Sequence, residues 1–250
     1  MNVQLKWVGI FIIGVIISAC STPSSPEKEV PHTETPTLTD IDGNTYPIVQ
    51  IGNQWWMAKN LQVTQYRNGD ALPQIKDSTQ WGNLQTGAWC IYENLVSTYG
   101  KLYNWYAVAD PRHLAPQGWH IPTDKDWKQL EMTLGMSAAA VEDFYERGTD
   151  EGGQLKATHI WRAPNTGATN RVGFSALPGG LRIGNGDFAI FLYNSFFWTA
   201  TAVDEAAAYY RYLSYDNAKI GRLGDYKQYG FSVRCVKDSD TVLPKSYLSQ

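Results

Sequence analysis

Few residues of this chain have types and spacings that could do chemistry, and they are scattered. His113, His120 and His159 are the histidines of the stretch 38–238. None stands three or four residues from another, the spacing that sets two metal ligands on one helical face, so they read as solvated or core residues. Gly173-Phe174-Ser175-Ala176-Leu177 offers the serine of a nucleophile elbow, but Leu177 stands where a second glycine must leave room for the tight turn. Gly184-Asn185-Gly186-Asp187 is like part of a phosphate loop; with no helix after it to lend a dipole, it reads as a turn. Asp40-Ile41-Asp42-Gly43-Asn44 is half a calcium loop without the later bidentate glutamate, and hairpin geometry explains it. Asp143, Glu146, Asp150 and Glu151 are candidates for a hydrolytic carboxylate pair, yet no spacing singles out two of them; a solvated face is the simpler reading. No catalytic constellation assembles, so neither a catalytic residue nor a cofactor or metal is expected.

Recognition is the better prospect. Tyr209-Tyr210-Arg211-Tyr212-Leu213-Ser214-Tyr215-Asp216 alternates as a strand. If Leu213 faces the core, Tyr209, Arg211 and Tyr215 share its side, while Tyr210, Tyr212 and Ser214 point outward. Outward Tyr and Arg give rigid contact area with a hydrogen-bonding tip at small entropic cost; the competing reading is an aromatic strand packed in an ordinary core. Asn217, Arg222, Asp225 and Tyr226 follow in the next loops, and Asn185, Asp187, Tyr193 and Asn194 precede the strand. Tyr193, Asn194, Tyr210, Tyr212, Asn217, Arg222 and Tyr226 are therefore the candidate ligand-binding residues. All the tryptophans except Trp7 fall after residue 50. They are able to stack on sugars, but a loop-rich domain needs them first as core.

The N-terminal segment bears on where this chemistry happens. Lys6 precedes an apolar run, Trp7–Ile17, and Ile17-Ser18-Ala19-Cys20 closes it with small residues before a cysteine. A run that short with a small-residue cleavage site reads as a signal peptide, not a span. The expectation is a lipoprotein signal peptide over 1–19 and acylation of Cys20, which makes a lipid bilayer the first partner. Residues 20–37 are rich in Pro, Ser, Thr and Glu, cannot bury enough surface to offset ordering, and read as a disordered tether. Ser21 rather than Asp follows the cysteine, so the expected place is the outer membrane, facing the periplasm or the cell exterior. In that oxidising space Cys90 and Cys235 form an even pair. A disulfide between them is predicted, worth up to roughly 4–5 kcal/mol for so long a loop; two buried free thiols are the alternative.

Roughly 200 residues remain, enough for one domain over 38–238, with a tail at 239–250. The net charge of −3 and the absence of a basic block argue against nucleic acid. Leu38–Leu61 reads as three strands with turns at Asp42-Gly43 and Gly52-Asn53. Leu102, Tyr103, Tyr106 and Ala109 space a short helix over Tyr99–Ala109. A second runs from Thr123, its N-cap, to Gly135, with Trp127, Leu130 and Leu134 as the buried stripe; Ser137–Tyr145 allows a short third. Apolar runs at Phe174–Leu177, Phe188–Tyr193, Phe196–Ala200, Tyr209–Tyr215 and Phe231–Val236 suggest short strands among long loops. Strands, then helices, then irregular strands make an α+β domain.

Three stretches go beyond generic patterning. Gly118-Trp119-His120-Ile121-Pro122-Thr123-Asp124-Lys125-Asp126-Trp127 resembles the helix start of the formylglycine-generating-enzyme (sulfatase-modifying) superfamily, and Phe174–Gly180 with Arg182 and Gly230–Val236 resemble its later strands. With Ile51–Leu61, Trp89-Cys90 and Tyr99–Val108, the chain is similar to the Fibrobacter succinogenes major paralogous (FISUMP) domain, from about residue 40 to 238. The resemblance implies a C-type-lectin-like fold of the formylglycine-generating-enzyme type, with two short helices, irregular antiparallel strands and long loops. It also implies the Cys90–Cys235 bridge as a family feature, and C-terminal strands and loops that form the ligand face. The copper-binding cysteine pair of the oxidases is missing, since Cys235 stands alone in the C-terminal part, and so is the histidine triad of the iron-dependent relatives. The expected function is therefore a non-catalytic, envelope-anchored module binding a glycan or protein ligand. The alternatives are an enzyme or accessory acting on envelope or dietary polysaccharide, and a structural envelope or surface-appendage component. A diversified binding segment over Tyr193–Tyr229 is a special case of the first.

Overall fold

The computed structural model describes residues 35–92 and 96–240. The expected signal peptide, Cys20 and most of the tether lie outside these residues, as does the tail beyond Asp240.

Strands β1 (Thr37–Thr39), β2 (Thr45–Ile51) and β3 (Gln54–Met57) form the antiparallel meander that the turn residues predict. Asp40 shapes the first turn by accepting hydrogen bonds from the amides of Asp42 and Asn44, both 2.9 Å, while Gly43 takes φ +82°, a conformation cheap for glycine. Then come α1 (Ser78–Gly82), β4 (Trp89–Cys90), α2 (Val96–Tyr99), β5 (Leu102–Tyr103), α3 (Trp105–Val108) and β6 (Trp119–His120). The helix expected over Tyr99–Ala109 is thus split. Leu102 and Tyr103 pair with β4, and Tyr103 also bridges Phe231. Only after Asn104 caps with its side chain, accepting from the Ala107 amide, does helix begin. Tertiary pairing overrode the local periodicity.

Helix α4 (Asp124–Leu134) is the long helix, and it forms as the sequence predicts. Thr123 Oγ1 accepts from the Asp126 amide (3.2 Å) and the Asp126 carboxylate accepts from the Thr123 amide (2.8 Å), a reciprocal cap. Gly135 stops it at φ +119°. Trp127, Leu130 and Leu134 are buried, roughly 1.5–3 kcal/mol of stabilisation for each aliphatic side chain. The third helix expected over Ser137–Tyr145 shrinks to a 3-10 turn at Ala140–Glu142, and Tyr145 opens a strand.

The remaining elements are β7 (Tyr145–Arg147), α5 (Glu151–Leu155), the hairpin β8 (Leu181–Arg182) with β9 (Phe188–Ala189), and β10 (Asn194–Ala202), β11 (Ala207–Ser214), β12 (Ile220–Tyr226) and β13 (Val236–Lys237). They complete two main sheets, ordered β1-β2-β3-β13-β6 and β10-β11-β12-β7, whose ladders are antiparallel. The domain is α+β, with five α-helices among the described residues rather than two. Phe174–Leu177 is not a strand: Ala176 makes a lone bridge to Lys156. Phe188–Tyr193 stops after two strand residues because Ile190 and Leu192 take positive φ.

Long loops are held by buried cations that donate to backbone carbonyls. Lys156 Nζ donates to Thr166, Ser214 and Asn217 oxygens at 2.8–2.9 Å. Arg182 grips Ile75, Lys76 and Gly186, and Arg234 grips Phe174 and Ser175. Arg67, half-buried, holds Ala115, Pro116 and Trp119 in the same way. A buried cation persists only when its donors are satisfied, and here the loops satisfy them.

The predicted disulfide is not formed. Cys90 and Cys235 are free, buried thiols. Cys90 packs with Ile75, Trp81, Ala88 and Leu102, whereas Cys235 packs with Tyr46, Met57 and Trp119 in another cluster. The topology separates them. Cys90 pairs with Leu102 in the small β4–β5 sheet, and Cys235 precedes β13 of the five-stranded sheet. Burial pushes the Cys90 thiol up to about 12.

Candidate functional site

The site is built on the sheet β10-β11-β12-β7. Directly paired residues point to the same face, so the registers sort the side chains. Phe197, Arg211, Arg222 and Tyr145 share one face, and Phe196, Tyr212, Gly221 and Glu146 share the other.

Helix α4 covers the first face, and an ion network seals it. Glu131 is fully buried and accepts from Arg147 Nη2 and Arg211 Nε, both at 2.6 Å. Asp124 accepts from Arg211 Nη1 and from Nε and Nη2 of Arg222 at 2.8–2.9 Å. Burial alone would raise the Asp124 carboxyl, but hydrogen bonds from Arg222 and the charge of Arg211 outweigh it and hold the group far below the usual carboxylate range. Arg222 is therefore not an outward recognition residue. Its guanidinium is spent on Asp124 and on the Glu142 carbonyl, and contacts the rings of both Phe144 and Tyr209, 4.7 and 4.6 Å from their centroids.

The second face carries aromatic side chains from core to solvent. Phe196, Trp198, Tyr210 and Phe231 are buried and mutually packed, with centroid separations from 4.2 to 6.3 Å. Tyr210, expected to point outward, is only 6 % exposed; both faces of β11 are covered, because Phe231 packs where an open face was expected. From this core the cluster reaches the surface through two half-buried rings. Tyr212 stacks against Phe196 at 6.1 Å and 25°, and Tyr229 meets Phe231 edge-on at 6.0 Å. The Tyr212 ring lies flat over Gly221, where an added Cβ would sit 1.8 Å from the ring. Tyr226, 61 % exposed, pairs with Ala207 and so has the register of Arg222, but at the end of β12 its ring lies beside Tyr229 and joins the strip from the edge.

Two carboxylates edge this strip. Asp225 is opposite Ala208 and diagonal to Tyr210 across the ladder; its oxygen accepts from the Tyr226 amide, and it has no salt-bridge partner among the described residues. Burial raises its carboxyl above the ordinary value, and its charge adds to the burial that raises the Tyr210 and Tyr229 hydroxyls. Glu146, opposite Gly221, accepts from Asn217 Nδ2 at 2.9 Å. Rings, hydroxyls, carboxylates and an amide thus run from Asn217 and Glu146 through Tyr212 and Tyr210 to Asp225, Tyr229 and Tyr226.

Of the sequence-predicted residues, Asn217, Tyr210, Tyr212 and Tyr226 contribute to this strip, and Arg222 lies beneath the opposite face. Tyr193 packs edge-on against Tyr215, with Arg162 over its ring at 4.8 Å. Asn194 sits in the ladder opposite Ser214. Neither belongs to the strip. Sequence reasoning missed Tyr229 and Glu146 and set Asp225 in a loop, although the alternation of Gly221, Leu223 and Asp225 was the signal that placed them on one face.

The other chemical candidates have structural employment. His120 bridges Asp238 (2.6 Å) and Asp126 (3.3 Å); its hydrogen bond to Asp126 raises its pKa against burial. His113 and His159 are exposed. Ser175 Oγ accepts from Asn170 Nδ2, and no histidine joins it. Glu151 caps the Thr149 and Asp150 amides. Among the described residues no group of three His, Cys, Asp or Glu side chains is placed to hold a metal, and no helix is long and apolar enough to cross a membrane.

Fold and site together define a mixed α+β domain with a tyrosine-rich, acid-edged face on its C-terminal sheet. The model of the Fibrobacter succinogenes major domain matches residues 49–237, and the chain belongs to that family. No curated protein and no solved structure matches it.

Proposed function

We propose that this chain is a non-catalytic recognition module that binds a glycan on the strip formed by Tyr212, Tyr229, Tyr226 and Asp225. The observation that carries the reading is the composition of that strip: half-buried tyrosines continuous with the core, edged by carboxylates that have no salt bridge among the described residues. Rigid rings anchored from below offer stacking area at low entropy cost, and carboxylate and amide groups beside them suit sugar hydroxyls. As part of the same proposal, the fold is of the C-type-lectin-like, formylglycine-generating-enzyme type. The capped Thr123 helix start and the irregular C-terminal strands that bear the strip support this. Acylation of Cys20 would hold the module at the outer membrane through the 20–37 tether.

A glycan array probed with the full-length protein in mild detergent tests the reading. Removing both outer rings in a Tyr212→Ala, Tyr229→Ala variant should cost at least about 2 kcal/mol of binding, roughly thirtyfold, with an unchanged circular dichroism spectrum. Undiminished binding by that variant, or no glycan bound by the parent, would overturn it.

A further inference from the structure

Each of the other aromatic clusters among the described residues already contains an arginine. Arg234 lies 4.3 Å from the Phe174 centroid in the Trp56, Trp127, Phe174 and Phe197 group. Arg182 lies 5.0 Å from Phe188, which packs on Tyr92. Arg222 contacts both Phe144 and Tyr209, and Arg162 covers Tyr193. The largest cluster, from Tyr212 through Phe196, Tyr210 and Phe231 to Tyr229, has no such cation among the described residues, although its rim carries Asp225. Two neighbouring basic side chains are committed elsewhere, and Lys219 is exposed at the far, Asn217 end of the strip. Lys227 Nζ donates to the Asp204 and Glu205 carbonyls over Trp105, and Arg147 is turned to the other face, bonded to Glu131 and the Ile220 carbonyl.

We propose that the ligand supplies the missing cation: the strip takes a glycan with a free, protonated amino group, the ammonium against Asp225 and the sugar ring on Tyr212 or Tyr229. This rests on the glycan-binding reading above. A π-face attracts an ammonium ion, and a half-buried carboxylate without a partner gains most from one. A uronic acid or phosphorylated sugar would set its anion against Asp225 and Glu146, neither of which has a salt bridge among the described residues. A neutral sugar would leave Asp225 uncompensated.

The test is calorimetric titration of the full-length protein in mild detergent with oligomers of glucosamine and of galactosamine, with their N-acetylated counterparts of equal length, and with hexalysine. The expected result is at least about tenfold tighter binding of one amino oligomer than of its N-acetylated form, the size of one charge-assisted hydrogen bond. Asp225→Asn should erase that preference, whereas Tyr212→Ala should weaken both forms together. Equal affinity for amino and N-acetyl forms would keep the glycan face and overturn the cation. No binding of any amino oligomer also overturns the inference; the array above shows separately whether other glycans bind. Hexalysine binding as tightly as the best amino oligomer would replace the sugar by a basic peptide and overturn the inference.

Discussion

Replacing Glu131 by Gln probes what fastens α4 to the sheet that carries the strip. The change keeps the shape of the side chain and removes one charge at a site with no solvent exposure. Arg211 would keep Asp124 as a counter-ion at 2.8 Å. The amide has one acceptor oxygen for two guanidinium groups; with that oxygen on Arg211, Arg147 would keep only the Ile220 carbonyl, at 3.0 Å, and its Nε already has no partner. Breaking a buried pair from one side costs about 3–5 kcal/mol, because the charge left behind is uncompensated. At roughly 2–4 °C per kcal/mol for a domain of this size, the midpoint should fall by roughly 6–20 °C, measured by circular dichroism at neutral pH with urea titration alongside. Arg147→Met added to Glu131→Gln removes the orphaned charge, so the double variant should be more stable than the sum of the two losses predicts, by about 0.5–3 kcal/mol. A midpoint within about 3 °C of the parent, or strict additivity of the two changes, would refute the view that this network is held by charge.

Four further outcomes follow from the geometry. Gly221→Ala must displace the Tyr212 ring, which a Cβ would meet at 1.8 Å; glycan affinity should fall at least tenfold while the far-ultraviolet spectrum stays native. Thr123→Ala removes half of a reciprocal cap and should cost about 1 kcal/mol, read as a urea midpoint shift. Asp124 is depressed in the folded state, so its contribution is present above the ordinary carboxylate pKa and lost as pH falls through the folded value; Asp124→Asn should flatten the acid limb of stability below about pH 4. His120 is raised instead, so its contribution is full below about pH 6.5 and fades as pH rises through the folded value; unfolding of His120→Gln should lack that alkaline loss. In addition, alkylation of the denatured, unreduced protein should label both Cys90 and Cys235.

Much of the fold was legible because its signals are local. Asp40 through Asn44, Thr123 and Gly135 each fix a turn or a helix end with groups only a few residues apart, and the structure has them as read; the return bond from Asp126 to Thr123 is an addition. The misreadings share a different cause. Leu102 and Tyr103 have helical spacing, but their partners are Cys90 and Phe231, far away in sequence. The strip suffered likewise: Tyr210 was set on an open face because the alternation of β11 shows two faces without showing what covers each. Phe231 covers one and Asp124 with Glu131 the other, and neither contact leaves a trace in the strand itself. Arg222 looked like a free cation for the same reason. The disulfide was argued from cysteine parity, which says nothing of distance.

The buried Lys156, Arg182 and Arg234 hold the loops by their carbonyl oxygens. Every amino acid has that atom, so the grip is blind to sequence. The exposed positions of 160–175 and 183–192 can therefore exchange side chains while the anchoring bonds survive, provided that core residues such as Trp161 and Phe174, and Gly167 and Gly186, are kept. A scaffold pinned in this way is suited to generating many versions of itself, each with a different surface, without renegotiating its own architecture.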